Sequence, residues 1–576
     1  SYNINSSFII NGDLNVEAFK RSFDKIIDRH QTLRTTFYIE DGTLYQKINN
    51  HAGDYFRVKA LDNNTDDQNS FYKNVAITES QKPFNIYEGP LLNVTIYEAC
   101  TKEHLVCITL HHIIADGWSI GIISRELSAL YENEVTKSAG PINDLDYQFI
   151  DYCEEQNINE KNGKLEESKK YWVSQLFDAN SILDLPYDKP RMSVQSSNGK
   201  VMDFIIESEM LSKIMGLSIE SKTSLFMVLY TAYCILIFRE TSQEDFTIGI
   251  PVAGRDDVRF ENLIGPFLNT NVFRNKISHN DSFIQLLDRI RQQTLSSLQH
   301  QNMPFEKLVE EINPVRSTSY NPLFQTMFTL QNSSMPELKL NEAKMTMLPI
   351  DSNYSQFDLS MTLWNEGEGM KGTIEYCSDI FWPQTIERMK TEYLNILMNI
   401  TSNPEIIISK IPLITEDMKN KILFEWNRNA SREQNFKNVI NMFKRQVENV
   451  PEAIAVLTEN DKIQYVDLDM HSDYLSLILH DLQTETSEPV GICADGSVFM
   501  ACAILALLKA GGVYVPIDPN SPDERIKHII KDCSIKLLIM QEKYSDRFKS
   551  SGLSSIVLEH IDFSKSRKTN KKSEID

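Results

Sequence analysis

Hydrophobic and polar positions along the chain change period repeatedly, and the first change comes early. Val16, Phe19, Phe23, Ile26 and Ile27 share one helical face and predict an amphipathic helix. The strand LRTTFYI follows, with a hairpin turn at Asp41-Gly42. In EHLVCITLHH, Leu105, Cys107 and Thr109 lie on one side and Val106, Ile108 and Leu110 on the other, which predicts a central strand covered on both faces. Strand alternation then sends His111 and His112 in opposite directions, so one is expected in the core and the other facing a cleft. Asp116-Gly117 breaks the strand, and Ile120, Ile123, Leu127, Leu130 and Tyr131 resume helical spacing.

Downstream, NEKNGKLEESKKYWVSQL predicts a charged helix. PFEKLVEEI predicts a helix with Phe305, Leu308, Val309 and Ile312 on one face and Asn302 as its cap. The apolar run Val498 to Leu508 reads as a buried helix ended by Gly511-Gly512 before a strand from Val513 to Val515. The chain divides into four parts: a histidine-bearing half at 1–160, a second half of similar mixed α/β content at 161–412, a connecting segment at 413–436, and a further α/β portion at 437–576.

Composition narrows the function. A chain of 576 residues is long enough for two to four domains. A net charge of -22 without a basic stripe argues against nucleic acid, whose phosphates need a positive footprint. Eight cysteines without paired short spacings give neither a zinc pattern nor a disulfide framework, and reduced thiols in the cytoplasm are the simplest reading. No apolar run approaches the ~20 residues needed to span a bilayer, and SYNINSSFII lacks the features of a signal peptide. No metal-ligand set and no membrane partner are expected.

A histidine at a strand-to-turn junction is placed for acid/base work. LHHIIADGWS (110–119) resembles the HHxxxDG signature of the condensation domains of nonribosomal peptide synthetases, relatives of chloramphenicol acetyltransferase. RHQTLRTTF (29–37), IGIPVAGRDDVRFENLIGPFLNT (248–270), HQNMPFEKLV (300–309) and SYNPLFQTMF (319–328) resemble further family motifs, in family order. The resemblance implies an α/β fold of two acetyltransferase-like lobes set in a V, with the histidine site in a tunnel between them. It also implies thioester aminolysis: an acyl or peptidyl group on an upstream carrier protein passes to the amine of an aminoacyl group on a downstream one. Both substrates would arrive on phosphopantetheine arms, and no cofactor would be bound directly.

Under this resemblance His112 either removes a proton from the amine or orients it, Gly117 brings a backbone N–H to the developing oxyanion, and His111 is structural. Asp116 either orients the imidazole or pairs with a buried arginine. The second is favoured, because the family supplies Arg255 as a partner and a buried aspartate needs a charged companion. Arg34 is a second candidate for structural pairing. Asn269 lines the tunnel or satisfies a sharp turn; Trp118, with Ser119 a tunnel-lining candidate, reads more as wall packing than as a substrate contact. GWSIGIISREL looks most like the subtype joining L-configured donors to L-configured acceptors. The alternatives are an epimerisation domain of the same superfamily and a catalytically silent docking platform. The aspartate pattern of heterocyclisation domains is missing.

Residues 413–436 resemble the linker to an adenylation domain. QYVDLD (464–469) and LLKAGGVYVPIDPNSPDER (507–525) resemble that domain's first two motifs. Its Ser/Thr/Gly-rich phosphate loop is not found, so 437–576 is expected to be the N-terminal portion of an adenylation domain, inactive toward ATP by itself. The condensation family's first motif, expected ahead of Tyr2, is not found either.

Overall fold

The computed structural model describes residues 2–61, 67–100, 102–137, 142–331, 340, 343–348, 350, 353–428, 438–459, 461–482 and 488–568. The chain forms two compact units, Ser1–Leu423 and Phe424–Asp576.

The first unit is built on two mixed sheets. Its N-terminal sheet has five strands in the order Lys344–Met347, Asn3–Asn11, Glu103–His111, Leu92–Cys100, Phe56–Ala60. Glu103–His111 is central and covered on both faces. Val106, Ile108 and Leu110 pack with Phe19, Phe23 and Ile26 of the helix Val16–Arg29 and with Ile120, Ile123 and Leu127 of the helix Gly117–Thr136. Leu105 and Cys107 meet Tyr72 and Ala76 of the helix Gln68–Ser80. The hairpin Thr35–Glu40 and Thr43–Ile48 turns through Asp41 and Gly42, both at positive φ, the conformation that the twist of a tight hairpin favours.

The second sheet has six strands in the order Gly199–Ile206, Gly369–Cys377, Leu359–Glu366, Thr326–Gln331, Asp245–Val252, Asn269–Lys276. One face buries the helix Leu225–Thr241, apolar all round and capped by Ser224, as a helix enclosed in a core should be. This helix and Ser208–Glu220 are jointly apolar, but they meet at 106°, and no single described helix is long and apolar enough to cross a membrane.

The two halves interlock. Lys344–Met347, from the second half of the sequence, is an edge strand of the N-terminal sheet, pairing antiparallel with Phe8–Asn11, and Leu340 enters that lobe's core. The helix Phe305–Ile312 begins after Pro304 without a side-chain cap. Asn302, expected to cap it, instead accepts a hydrogen bond from Ser168 Oγ at 2.7 Å. Of the expected linker at 413–436, the structure describes a short helix, Glu416–Asn420, and a π-turn, Lys421–Glu425; positions 429–436 lie outside the described residues.

In the second unit, Pro489–Cys493 lies between Val513–Pro516 and Leu537–Met540 in a four-stranded parallel sheet completed by Ser554–Val557. The helix Val498–Lys509 is buried on its Cys502, Ala503, Ala506 and Leu507 side, and Gly511, at φ +74°, turns the chain into Val513–Pro516. Lys509 is buried and held by Asp469 at 2.6 Å and Asp473 at 2.7 Å, tying this helix to Tyr465–Asp481.

Candidate active site

The central strand ends at His111, and His112 opens a turn that closes with Ile114 N–H donating to the His111 carbonyl at 3.0 Å. Strand alternation therefore does not govern His112. Both imidazoles are half-buried and both line one cavity of about 500 Å³, so neither is sequestered in the core. His111 Nδ1 accepts the Ile113 N–H at 3.1 Å, which leaves the proton of the neutral ring on Nε2, and the ring meets Phe84 edge-on. Burial, then the neighbouring His112, holds the His111 pKa below the usual histidine range. His112 is anchored only by its backbone, whose N–H donates to the Tyr2 carbonyl at 2.7 Å. Its ring makes no hydrogen bond to any described residue and is free to engage a ligand.

The opposite wall comes from the second half. Phe305, Phe324, Phe357 and Met327 form an apolar surface, and Asn269, Asn321 and Gln356 supply amides. Asn269 both lines the cavity and builds it. Its Nδ2 donates to the carbonyls of Gln301 at 2.9 Å and Met303 at 2.7 Å, and its Oδ1 accepts the N–H of Phe305 at 3.0 Å, the first residue of the helix that Pro304 leaves without a local cap.

Asp116 and Arg255 lie beside this cavity. The carboxylate receives five donors: Arg255 Nη1 at 2.7 Å and Nη2 at 3.2 Å, Ser119 N–H at 2.9 Å, Ser119 Oγ at 2.7 Å and Phe267 N–H at 3.1 Å. About four lone-pair directions exist on a carboxylate, so none remains for an imidazole, and neither histidine bonds to it. Asp116 also caps the helix Gly117–Thr136, with Ser119 completing a capping box. Arg255 lies 4.1 Å above the Phe267 ring, and burial holds its pKa below the usual arginine value against the opposing pull of Asp116. The approach is close enough that Gly254, at φ +64°, could not carry a Cβ: it would stand 2.0 Å from the Phe267 carbonyl oxygen.

Three residues fall elsewhere than the sequence suggested. Arg34 has no carboxylate partner among the described residues; its guanidinium donates to the Asn49 carbonyl at 2.6 Å. It lines a separate cavity of about 1020 Å³ beside the hairpin, which shares no lining residue with the histidine cavity. The structural ion pair of RHQTLRTTF is made by its first residue: Arg29 Nε meets Glu126 at 3.0 Å, and the buried His30 Nε2 is hydrogen-bonded to the same carboxylate at 2.9 Å. Trp118 is exposed, donating to the Glu261 carbonyl at 3.1 Å, and Ser119 is fully buried in the Asp116 network; neither lines the histidine cavity. Gly117 is the first residue of its helix, and a Cβ built on it meets nothing within 4 Å.

A central strand ending in paired histidines, an interlocked second lobe and a helix capped by an arginine-bound aspartate define a two-lobed acyltransferase-type fold. The condensation-domain family model matches residues 1–423 and the AMP-binding enzyme model residues 443–576. The chain belongs to the condensation-domain family and continues into an AMP-binding segment. It is 35% identical to a linear gramicidin synthase of Brevibacillus parabrevis over 94% of its length, and 31% identical to gramicidin S synthase 2 of Brevibacillus brevis, also over 94%. It spans only 7% and 12% of those proteins. A four-domain nonribosomal peptide synthetase bound to AMP and glycine superposes with a TM-score of 0.82 at 23% identity, covering 98% of this chain and 44% of the other. The first condensation domain of the calcium-dependent antibiotic synthetase gives 0.59 at 15% identity, covering 72% of this chain and 94% of the other. These two likenesses establish the fold.

Proposed function

We propose that residues 1–423 form an amide bond between a donor acyl or peptidyl thioester and the amine of an acceptor aminoacyl thioester, both carried on phosphopantetheine arms of carrier proteins. The amine nitrogen bonds to the thioester carbonyl carbon, the carbon–sulfur bond breaks, and the proton lost by nitrogen is balanced by the one gained by the leaving thiol. One observation carries this reading: the His112 ring makes no hydrogen bond to any described residue and faces a cavity walled by both halves of the first unit.

An α-amine has a pKa of about 7.7–8.0, so a useful fraction is neutral near pH 7 and alignment supplies much of the rate. His112 either takes the proton as the tetrahedral intermediate forms or orients the amine. The Gly117 N–H, at a helix start where amides lack intrahelical acceptors, is offered to the oxyanion. His111, Asp116 and Arg255 hold the turn that presents them. We assign residues 1–160 and 161–412 to the two lobes, the L-donor, L-acceptor subtype to the reaction, and the cytoplasm to the protein. The likeness to a four-domain nonribosomal peptide synthetase and the AMP-binding segment support upstream and downstream carrier proteins, and the remainder of an adenylation domain, as partners.

The test is single-turnover condensation with both carrier proteins preloaded, read by mass spectrometry. A dipeptidyl thioester on the acceptor carrier is expected. Inversion at the donor α-carbon without coupling would indicate epimerisation, and carrier binding without chemistry a docking platform.

A further inference from the structure

The hairpin Thr35–Glu40 and Thr43–Ile48 carries a row of side chains that the histidine site does not use. Directly opposed residues of an antiparallel pair share a face, so Thr36 lies beside Lys47 and, two residues along, Tyr38 beside Tyr45. At the other end the Asn49 N–H donates to the Arg34 carbonyl at 3.0 Å and extends the pairing to Arg34. Arg34, Thr36, Tyr38, Lys47 and Asn49 all line the cavity of about 1020 Å³. Tyr38 and Tyr45 stack with ring centroids 5.4 Å apart, and both are exposed.

The positive charge in this row is unmatched. An arginine presents a fork of N–H donors, yet Arg34 donates only to the Asn49 carbonyl at 2.6 Å, and its Nε is buried without a hydrogen-bond partner among the described residues. Arg29, Arg191, Arg255, Arg274 and Arg388, by contrast, each hold a carboxylate. Lys47 is exposed and forms no ion pair with any described residue. Two acids line the same cavity. Asp54 lies 3.5 Å from Arg57, and Glu88 forms no ion pair with any described residue. Two unmatched cations therefore face one unmatched acid, in a chain whose net charge is -22.

A guanidinium fork with an ammonium beside it matches the several oxygens of a phosphate group, and an exposed tyrosine ring next to them offers an apolar face to whatever the phosphate carries. We propose that the hairpin cavity binds a phosphate ester, with Arg34 and Lys47 holding the phosphate and Tyr38 covering the attached organic group. Leu91, whose carbonyl accepts the His111 N–H at 2.9 Å, also lines this cavity, which sets the site against the end of the histidine strand. The two cavities share no lining residue, so the proposal stands independently of the reaction assigned to the histidines.

The test measures calorimetric binding of phenyl phosphate, phenol, 4′-phosphopantetheine, pantetheine and acetate to the full chain and to Lys47→Gln, Arg34→Lys and Glu88→Gln. The native chain is expected to bind at least one phosphate ester roughly tenfold more tightly than its dephosphorylated counterpart and than acetate, and added salt should weaken that binding. Preference for phenyl phosphate identifies a planar group over Tyr38; preference for 4′-phosphopantetheine identifies an extended arm. Lys47→Gln should lower the affinity for the ester roughly tenfold while melting like the native protein, because Lys47 is exposed and unpaired. Arg34→Lys keeps the charge without the fork and should lose part of the affinity, whereas Glu88→Gln removes the opposing acid and should raise it. Equal binding of the esters and their dephosphorylated counterparts by the native chain, acetate bound as tightly as the esters, or an ester preference unchanged in a folded Lys47→Gln overturns the proposal.

Discussion

Arg255 grips Asp116 through both guanidinium nitrogens, and the two side chains are only 1% and 2% exposed, although they come from opposite halves of the first unit. The pair joins the helix start after the histidines to the segment that closes the cavity. Removing one partner of such a pair strands the other's charge and costs about 3–5 kcal/mol. Arg255→Ala and Asp116→Asn should therefore each lower the melting temperature markedly, and their double variant should lose much less than the two losses added together. Native-like melting of Asp116→Asn with a selective rate loss would return Asp116 to the chemistry.

His112→Ala is expected to slow dipeptide formation by about 100-fold or more, in the range of a lost acid/base group, with the melting temperature unchanged because the ring makes no hydrogen bond to any described residue. His111→Ala removes the acceptor of Ile113 N–H and the contact with Phe84. It should cost about 1 kcal/mol of stability and retain more turnover than His112→Ala. A well-folded, inactive His111→Ala beside an active His112→Ala would reverse the assignment.

Much of this site was legible in the sequence because it is local or charge-matched. Period-two and helical spacing located the central strand and its flanking helices, and a buried aspartate demanded a cation, for which the resemblance supplied Arg255. What was not legible depends on where the chain turns and what crosses from far away. The histidine strand ends one residue before His112, so alternation no longer separated the two rings. Trp118 and Ser119 follow the signature directly, yet helix geometry carries one to solvent and the other into the Asp116 network. Arg34 and Arg29 flank His30 in one motif, and only the packing of the helix Gly117–Thr136 decides which of the two arginines meets Glu126. No local pattern signals that residues 344–347 belong to the first sheet.

Two carboxylates, the buried Glu126 and the half-buried Glu375, give opposite pH responses. Burial pushes Glu126 up, but His30 and Arg29 outweigh it and hold its pKa below the ordinary carboxyl value. Its stabilisation is thus present above that ordinary value and lost as pH falls through the lower, folded one. Glu375, raised to about 7 by burial, binds its proton more tightly folded than unfolded. Its contribution is full below the ordinary carboxyl range and is lost as pH rises through about 7. Chemical denaturation across this range should show Glu375→Gln gaining about 2 kcal/mol relative to the native protein between acid and neutral pH. A difference that does not change with pH would mean that Glu375 ionises normally.

Gly117 separates a reaction role from a folding role most cleanly. Its φ is not in the left-handed region, and an added methyl group meets no atom within 4 Å, so the folded protein has no steric need for glycine here. Gly117→Ala should therefore melt at the native temperature or slightly above, since alanine restricts the unfolded chain by about 0.4–1 kcal/mol. If a thioester carbonyl approaches this N–H during the reaction, the methyl group stands in its path, and turnover should fall by about 10-fold or more. Unchanged turnover in that variant would remove Gly117 from the reacting centre and leave oxyanion stabilisation to another donor.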